Sequence, residues 1–177
     1  MSWGSERSEA INKAAAAAVN AGLTVIVAAG NKNTDACKYS PASEPLAYTV
    51  GSIDTDDTKA EDSNYGKCTV LAPTLLPLLF WYTQCLREQT GLDIFAPGVG
   101  IRSDWCEPGN DGEQTSDGTS VASPHVAGLA LTLIAKDPTK YSTPTEITKG
   151  ISALATKNTK VSPSPPSGTT FISYNGL

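Results

Sequence analysis

The run "LTVIVAAGN", residues 23–31, constrains the fold of this chain more than any other stretch. It is almost continuously apolar, rich in β-branched residues and too short for a helix. That is the pattern of a strand buried on both faces of a parallel sheet. Gly30 and Asn31 stand at its carboxyl end, which is where open α/β sheets bind their ligands. Upstream, Ile11, Ala14, Ala15, Ala18 and Val19 recur at helical spacing and Gly22 closes the run. Ser5 is the expected cap of that helix, with Glu6 and Glu9 near the positive end of its dipole. Its alanines predict a slim helix packed closely on something flat.

The same alternation continues downstream. "AYTVGSID" (47–54) and "LDIFAPG" (92–98) read as short strands stopped by turn residues. A nearly all-round apolar stretch with Leu129, Leu131, Leu133 and Ile134 predicts a buried helix from Thr119 to about Lys136. Thr143, Pro144 and Glu146 make a capping box with proline in the first turn, so a further helix should run to about Leu154. "KVSPSPPSGTT" is a loop or extended segment, and "FISY" reads as a final edge strand. Strands alternating with helices define an α/β class, and 177 residues suffice for one domain with a proper core.

Composition excludes some partners. A net charge of −5, with Lys and Arg scattered, leaves no basic stripe to displace counterions from nucleic acid. The opening "MSWGSERSEA" carries two acids and no apolar run, so it is not a secretory signal. Cys37, Cys68, Cys85 and Cys106 lack the short paired spacing of zinc ligands. A disulfide and buried thiols both remain open, and four cysteines allow three pairings. Residues 69–91 follow neither a strand nor a helix period. Their apolar part, Val70 to Tyr82, is well short of the ~20 residues that span a bilayer, so no membrane partner is expected.

The chemistry concentrates in "SDGTSVASPHVAG", residues 116–128. A serine hydroxyl becomes a useful nucleophile only when a base takes its proton and donors stabilise the oxyanion. Gly118 permits a tight turn, and Thr119-Ser120 then opens a helix whose amides point at the hydroxyl. On Gly-Thr-Ser alone a helix cap is the commoner reading. The alternative elbow G-x-S-x-G is not met, because Ala122 stands where its second glycine belongs. His125, the only histidine, follows five positions later on the same helix, about 140° round and ~7.5 Å along the axis, so the two side chains diverge.

The longer string "DGTSVASPHVAG" resembles the segment around the nucleophile of subtilisin-like serine proteases. "VIVAAGN", "YSPASEP", "YTVGSID", "SNYGKC" and "LDIFAPG" follow in the order of that family's proteinase K branch. The resemblance implies a three-layer α/β fold with a mostly parallel sheet, incomplete at its amino-terminal side. It implies serine endopeptidase activity on polypeptide substrates outside the cell, with Ser120 as nucleophile and Asn31 as oxyanion donor. Without it, Asn31 would be read as a turn residue. Ala28, Ala29 and Gly30 would form one wall of the S1 pocket, and Ser2, Trp3 and Gly4 the opposite wall. Val121 replaces the usual methionine behind the serine, a change of packing only. His125 is structural in this family.

Further implications concern stabilising elements. Cys37 and Cys68 match a disulfide of some bacterial members, while Cys85 and Cys106 have no counterparts and are expected to be unpaired. The carbonyls of Pro45 and Ala47 with the carboxylate of Asp93 match a Ca²⁺ site, for which water must complete the six to eight oxygens that the ion needs. Removing residues 69–91 joins "SNYGKC" to "LDIFAPG" as in the family, so the segment reads as an insertion, a translated intron. The family's Asp and His motifs would precede "MSWG". Residues 1–177 are therefore expected to be part of a peptidase domain, with the missing amino-terminal half as its partner. Two further readings come from other classes: an inactive relic that only folds or binds, and a membrane-associated peptide-binding module using the apolar insert.

Overall fold

The fold is built around a five-stranded sheet whose strands β2 (Ile26–Ala28) and β4 (Tyr48–Ile53) are buried at every position. The computed structural model describes residues 1–66, 91–107, 110–157 and 171–173. In chain order the elements are β1 (Ser5–Glu6), α1 (Glu9–Asn20), β2 (Ile26–Ala28), a 3₁₀ turn (Ala36–Lys38), β3 (Tyr39–Ser40) and β4 (Tyr48–Ile53). There follow β5 (Ile94–Pro97), β6 (Ile101–Glu107), β7 (Asn110–Ser116), α2 (Thr119–Lys136), α3 (Pro144–Leu154), β8 (Thr156–Lys157) and β9 (Phe171–Ile172). The main sheet has the order β2-β4-β5-β9-β8. Its first three junctions are parallel, with Ile26 beside Tyr48, Val50 beside Ile94 and Phe95 beside Ile172; β8 alone runs antiparallel.

Burial on both faces explains the unbroken apolar runs. Ile26, Tyr48, Val50, Ile94 and Ala96 pack against Ala122, Val126, Leu129 and Leu133 of α2, and Ile147 and Ile151 of α3 complete that layer. Phe95 and Ile53 point the other way, into a second cluster with Ala29, Ala36, Ala42 and Leu92. Consecutive residues thus alternate between two cores, the period-2 geometry of a strand with no wet face. Each fully buried Val, Ile or Phe contributes roughly 1.5–3 kcal/mol relative to exposure. This is the three-layer α/β arrangement with a mostly parallel sheet.

Two predicted helices match closely. α2 spans Thr119–Lys136, and α3 begins at Pro144 with a complete capping box: Glu146 N–H donates to Thr143 Oγ1 at 3.3 Å and Thr143 N–H to Glu146 Oε2 at 3.0 Å. α1 differs at its start. Ser5 lies in β1, paired antiparallel with Ser40 of β3, and the helix begins at Glu9 behind Ser8. The reason is a competing set of partners: Ser8 N–H donates to Ser40 Oγ at 2.8 Å, and that hydroxyl donates to Ser8 O at 3.2 Å. The end of α1 is a Schellman turn, with Leu23 N–H on Ala18 O (3.1 Å) and Gly22 N–H on Val19 O (2.9 Å). Its alanines do not all lie against a flat surface. Ala14 and Ala17 are exposed, and Asn12 anchors the helix through a 2.9 Å bond to Ser43.

"FISY" is not an edge strand. β9 lies between β5 and β8, because Thr156–Lys157 pairs along its outer side. The β6–β7 hairpin was not anticipated, since its polar residues show no alternation with a buried face. Among the described residues no helix is long and apolar enough to cross a membrane. The insertion assigned to 69–91 lies outside the described residues apart from Gly91, which is buried. The "KVSPSPPSGTT" loop also lies outside them.

Candidate functional site

The site forms where β2 ends and α2 begins. Past Ala28 the chain stays tied to the sheet through Ala29 N–H on Val50 O (2.9 Å), then turns at Gly30 with φ +100°. Gly30 N–H donates to Thr119 Oγ1 at 3.0 Å, while Thr119 N–H and Oγ1–H both donate to Asn31 Oδ1, at 2.9 and 2.7 Å. Thr119 is 1% exposed. With its oxygen held twice, the Asn31 side chain has one free function left, the Nδ2 amide. That amide lies over Gly118, whose φ is +121° and where any Cβ would run into Asn31 Nδ2. Gly118 is thus required on two counts: a backbone region that L side chains avoid, and the space the amide occupies.

Ser120 follows as the second residue of α2. Its backbone N–H is among the first of the helix, which have no carbonyl four residues back. Its half-buried side chain borders a cavity of about 250 Å³. Ser2, Trp3, Gly4, Ala28, Ala29, Gly30 and Asn31 all line that cavity. Tyr39, Ser40 and Ala42 complete it, with Lys32 near Asn31. The amino-terminal segment is brought there by the edge of β2, where Ala28 N–H donates to Met1 O at 3.0 Å and the Met1 amine meets Ile26 O. Ser2 Oγ then lies 3.2 Å from Ser123 Oγ of α2. All eight residues proposed from sequence for catalysis and substrate binding therefore border one cavity.

Other candidates fall elsewhere. His125 is exposed, and its Nδ1 lies 3.0 Å from Val121 O on its own helix. Asp117 Oδ1 accepts from Gly100 N–H at 2.6 Å and holds the base of the hairpin. Asp93 sits between β4 and β5: its Oδ2 accepts from Thr49 N–H at 2.7 Å, and its own N–H donates to Thr49 O at 2.9 Å. Pro45 and Ala47 are on the loop that leads into β4, and among the described residues neither carbonyl accepts a hydrogen bond. Cys37 is disulfide-bonded. Cys68, Cys85 and the side chain of Cys106 lie outside the described residues.

One residue of the site was missed from sequence although it stands in the quoted string "SNYGKC". Asn64 is fully buried, and its side chain accepts from Lys32 N–H (2.9 Å) and Thr34 N–H (3.1 Å) and donates to Ala29 O (2.8 Å). Behind it, Lys59 Nζ donates to Asn33 Oδ1 at 3.1 Å, Ala60 O at 2.8 Å and Ser63 O at 3.0 Å. Burial lowers the pKa of this ammonium, an effect opposed by the nearby charges of Asp62 and Glu61.

A helix-opening serine and the Asn31 amide thus border one cavity at the carboxyl end of a mostly parallel sheet in an α/β protein. The subtilase family model matches residues 1–168, and the chain belongs to that family. It is 40% identical over 163 residues to "Subtilisin-like protease 3" of Pseudogymnoascus destructans, covering 92% of this chain and 34% of that protein. It is 39% identical over 181 residues to the "Cuticle-degrading serine protease" of Arthrobotrys oligospora, covering 99% and 37%. Among solved structures, a cold adapted subtilisin-like serine proteinase superposes with a TM-score of 0.78 at 33% identity, covering 99% of this chain and 53% of that one. The chain thus spans about a third of the length of these curated relatives.

Proposed function

We propose that this chain carries the nucleophile and oxyanion donor of a serine endopeptidase that works through an acyl-enzyme, acting on polypeptides outside the cell. The observation that carries the reading is the Asn31–Thr119–Ser120 junction beside the cavity. Ser120 Oγ attacks the scissile carbonyl carbon, its proton passes to a base, and the carbonyl electrons move onto oxygen. Asn31 Nδ2 and the Ser120 N–H donate to that oxyanion, which they favour over the neutral carbonyl. Collapse breaks the C–N bond and the base returns its proton to the leaving amine. Water then repeats the sequence on the ester and frees Ser120. The apolar walls around Ala28 and Ala29 take the side chain preceding the scissile bond.

Support for where the base lies comes from the sequence, which holds a single histidine, His125, engaged on its own helix away from the cavity. We therefore assign the proton acceptor to a segment carrying an Asp and a His, and expect the 177 residues by themselves to be inactive. A fluorophosphonate probe and a chromogenic peptide ester test this. Ser120 should be labelled, and ester cleaved, only when that segment is supplied in trans or restored in one polypeptide with residues 69–91 removed. Rapid labelling of Ser120 in the 177-residue chain alone would overturn the assignment of the base.

Two stabilising elements belong to the same proposal. The Pro45 and Ala47 carbonyls and the Asp93 carboxylate form a hard, all-oxygen donor set suited to Ca²⁺, which would bind there with water and tie the entry of β4 to the start of β5. Titration calorimetry that gives no calcium heat, or the same heat for Asp93→Asn, would remove this site. We assign Cys68 as the disulfide partner of Cys37. Support comes from the backbone: Asp35 is bridged to Tyr65, and Ala36 N–H donates to Tyr65 O at 2.7 Å, three residues before Cys68. Peptide mapping without reduction checks the pairing.

A further inference from the structure

We propose that Asn64 is a positioning residue: it fixes the backbone on both sides of Asn31 so that the Asn31 amide is already in place when the oxyanion forms. The proposal rests on the reading of Asn31 as oxyanion donor and extends it to a residue that touches no reacting atom. Asn31, Lys32 and Asn33 are all exposed. A loop of that kind opens easily, whereas a catalytic donor must be held to within about 0.5 Å. Thr119 fixes the side-chain oxygen of Asn31 and accepts from the Gly30 N–H just before it. Asn33 N–H donates to Asp62 O at 2.7 Å, and Asn64 is the one side chain that bonds the main chain on both sides of Asn31 among the described residues.

Four hydrogen bonds do this. Asn64 Nδ2 donates to Ala29 O (2.8 Å) and Asn64 N–H to Gly30 O (2.8 Å), upstream of Asn31. Lys32 N–H and Thr34 N–H donate to Asn64 Oδ1, downstream of it. Steric contact adds to the hydrogen bonds, since a Cβ on Gly30 would come within 2.5 Å of Asn64 Nδ2. The bend at Gly30 and the Asn64 amide therefore fit one another. Asn64 is itself secured to the sheet, because Ser63 Oγ donates to Asn64 O (3.1 Å) and accepts from Ser52 N–H of β4 (3.0 Å). A continuous path thus runs from β4 through Ser63 and Asn64 to the loop, and from Asn31 to Thr119 and α2.

The chemistry explains why the residue is asparagine. One planar group must donate to a carbonyl and accept from two amides at once. Aspartate keeps the acceptors but loses the donor and sets a carboxylate oxygen against Ala29 O. Alanine keeps neither. Because the network places N–H groups on one side and C=O on the other, only one orientation of the Asn64 amide satisfies it.

The test is a double-mutant cycle on acyl transfer, in the polypeptide that carries its proton acceptor. Asn31→Ala should lower kcat by about 100- to 1,000-fold, a magnitude borrowed from subtilisin itself. The isosteric Asn64→Asp should lower kcat by about 10- to 100-fold, the scale of a misplaced catalytic group, with a smaller change in KM. In the Asn31→Ala background the same Asn64→Asp change should cost less than about 3-fold, because the donor it positions is gone. Equal cost in both backgrounds would overturn the proposal and leave Asn64 a purely structural residue. No effect of Asn31→Ala would instead overturn the oxyanion reading itself. A second measurement does not depend on catalysis: Asn64→Asp and Asn64→Ala should each speed hydrogen exchange at the Lys32 and Thr34 amides. Unchanged protection there would also overturn the proposal.

Discussion

The junction around Asn31 and the β6–β7 hairpin lie close together in the chain, since β7 ends at Ser116 and the junction resumes at Gly118. They are built on opposite principles. In the junction, polar groups far apart in sequence meet on two fully buried side chains, Thr119 bonding Asn31 and Asn64 bonding Lys32 and Thr34. In the hairpin the ladder is local, running from Ile101 opposite Ser116 to Glu107 opposite Asn110. Residues 102–104 and 113–116 of it are exposed. An ion pair in it, Arg102 with Glu113, joins side chains that are 72% and 48% exposed. A buried network fixes geometry because breaking one bond leaves an unpaired polar group away from water, at about 1–3 kcal/mol. An exposed ladder exchanges its lost bonds for water at little cost. The difference teaches where this chain can vary and where it cannot.

The sharpest test of that contrast is at the junction. Ser120→Ala in the competent polypeptide should remove roughly a million-fold in turnover, a figure taken from subtilisin, without moving the melting temperature. Residual ester cleavage near the parent rate would break the contrast at once. Gly118→Ala ranks next. It forces a Cβ into the space of the Asn31 amide at a positive φ, so it should destabilise the fold by roughly 1–3 kcal/mol and lower kcat at least ~10-fold. Thermal melts and ester kinetics on the same variant measure both.

Between the extremes stands the capping box of α3, which is exposed but doubly bonded. Thr143→Ala should cost about 1 kcal/mol in a denaturant or thermal melt. Hydrogen bonds from the Thr143 and Ser142 hydroxyls hold the Glu146 carboxyl below the ordinary glutamate range. A folded pKa lower than the unfolded one adds stability above the unfolded value, and that stability is lost as pH falls through the folded value. Melting curves between roughly pH 3 and 7 should therefore show the deficit of Glu146→Gln fading toward the acid end. A constant deficit would mean that the charge is irrelevant. At the bottom of the scale, Arg102→Ala in the hairpin should change stability by less than ~1 kcal/mol, as exposed ion pairs do. A larger loss would show that the hairpin is braced by more than its own ladder.

Much of this was legible in order along the chain. "LTVIVAAGN", "AYTVGSID" and "LDIFAPG" announced β2, β4 and β5, because a strand buried on both faces is mostly apolar. Thr143, Pro144 and Glu146 marked the start of α3 to the residue, since a capping box is a local interaction. The string around Ser120 was legible through its resemblance to a family, and Asn31 and the two pocket walls came with it. Where the reading failed, the competing partner was distant. Ser5 has the chemistry of a cap, yet it pairs with Ser40 in β1–β3. "FISY" has the look of an edge strand, yet Thr156–Lys157 lies outside it. The hairpin escaped notice because its described residues 102–104 and 113–116 are exposed and polar, so they carry no alternation of apolar and polar positions.

Local chemistry, then, was enough to set the α/β class and the helix boundaries at Thr119 and Pro144, while Ser120 and Asn31 were singled out only by the resemblance to a family. Periodicity and capping depend on residues within a few positions of one another, so one dimension records them. The tertiary structure alone decided that Thr119 holds the Asn31 oxygen, that Gly118 leaves room for its nitrogen, and that Asn64 locks the loop between them. Those partners meet only after β2, β4 and α2 have packed. A side-chain amide has no preferred orientation of its own until the surrounding backbone donors and acceptors impose one.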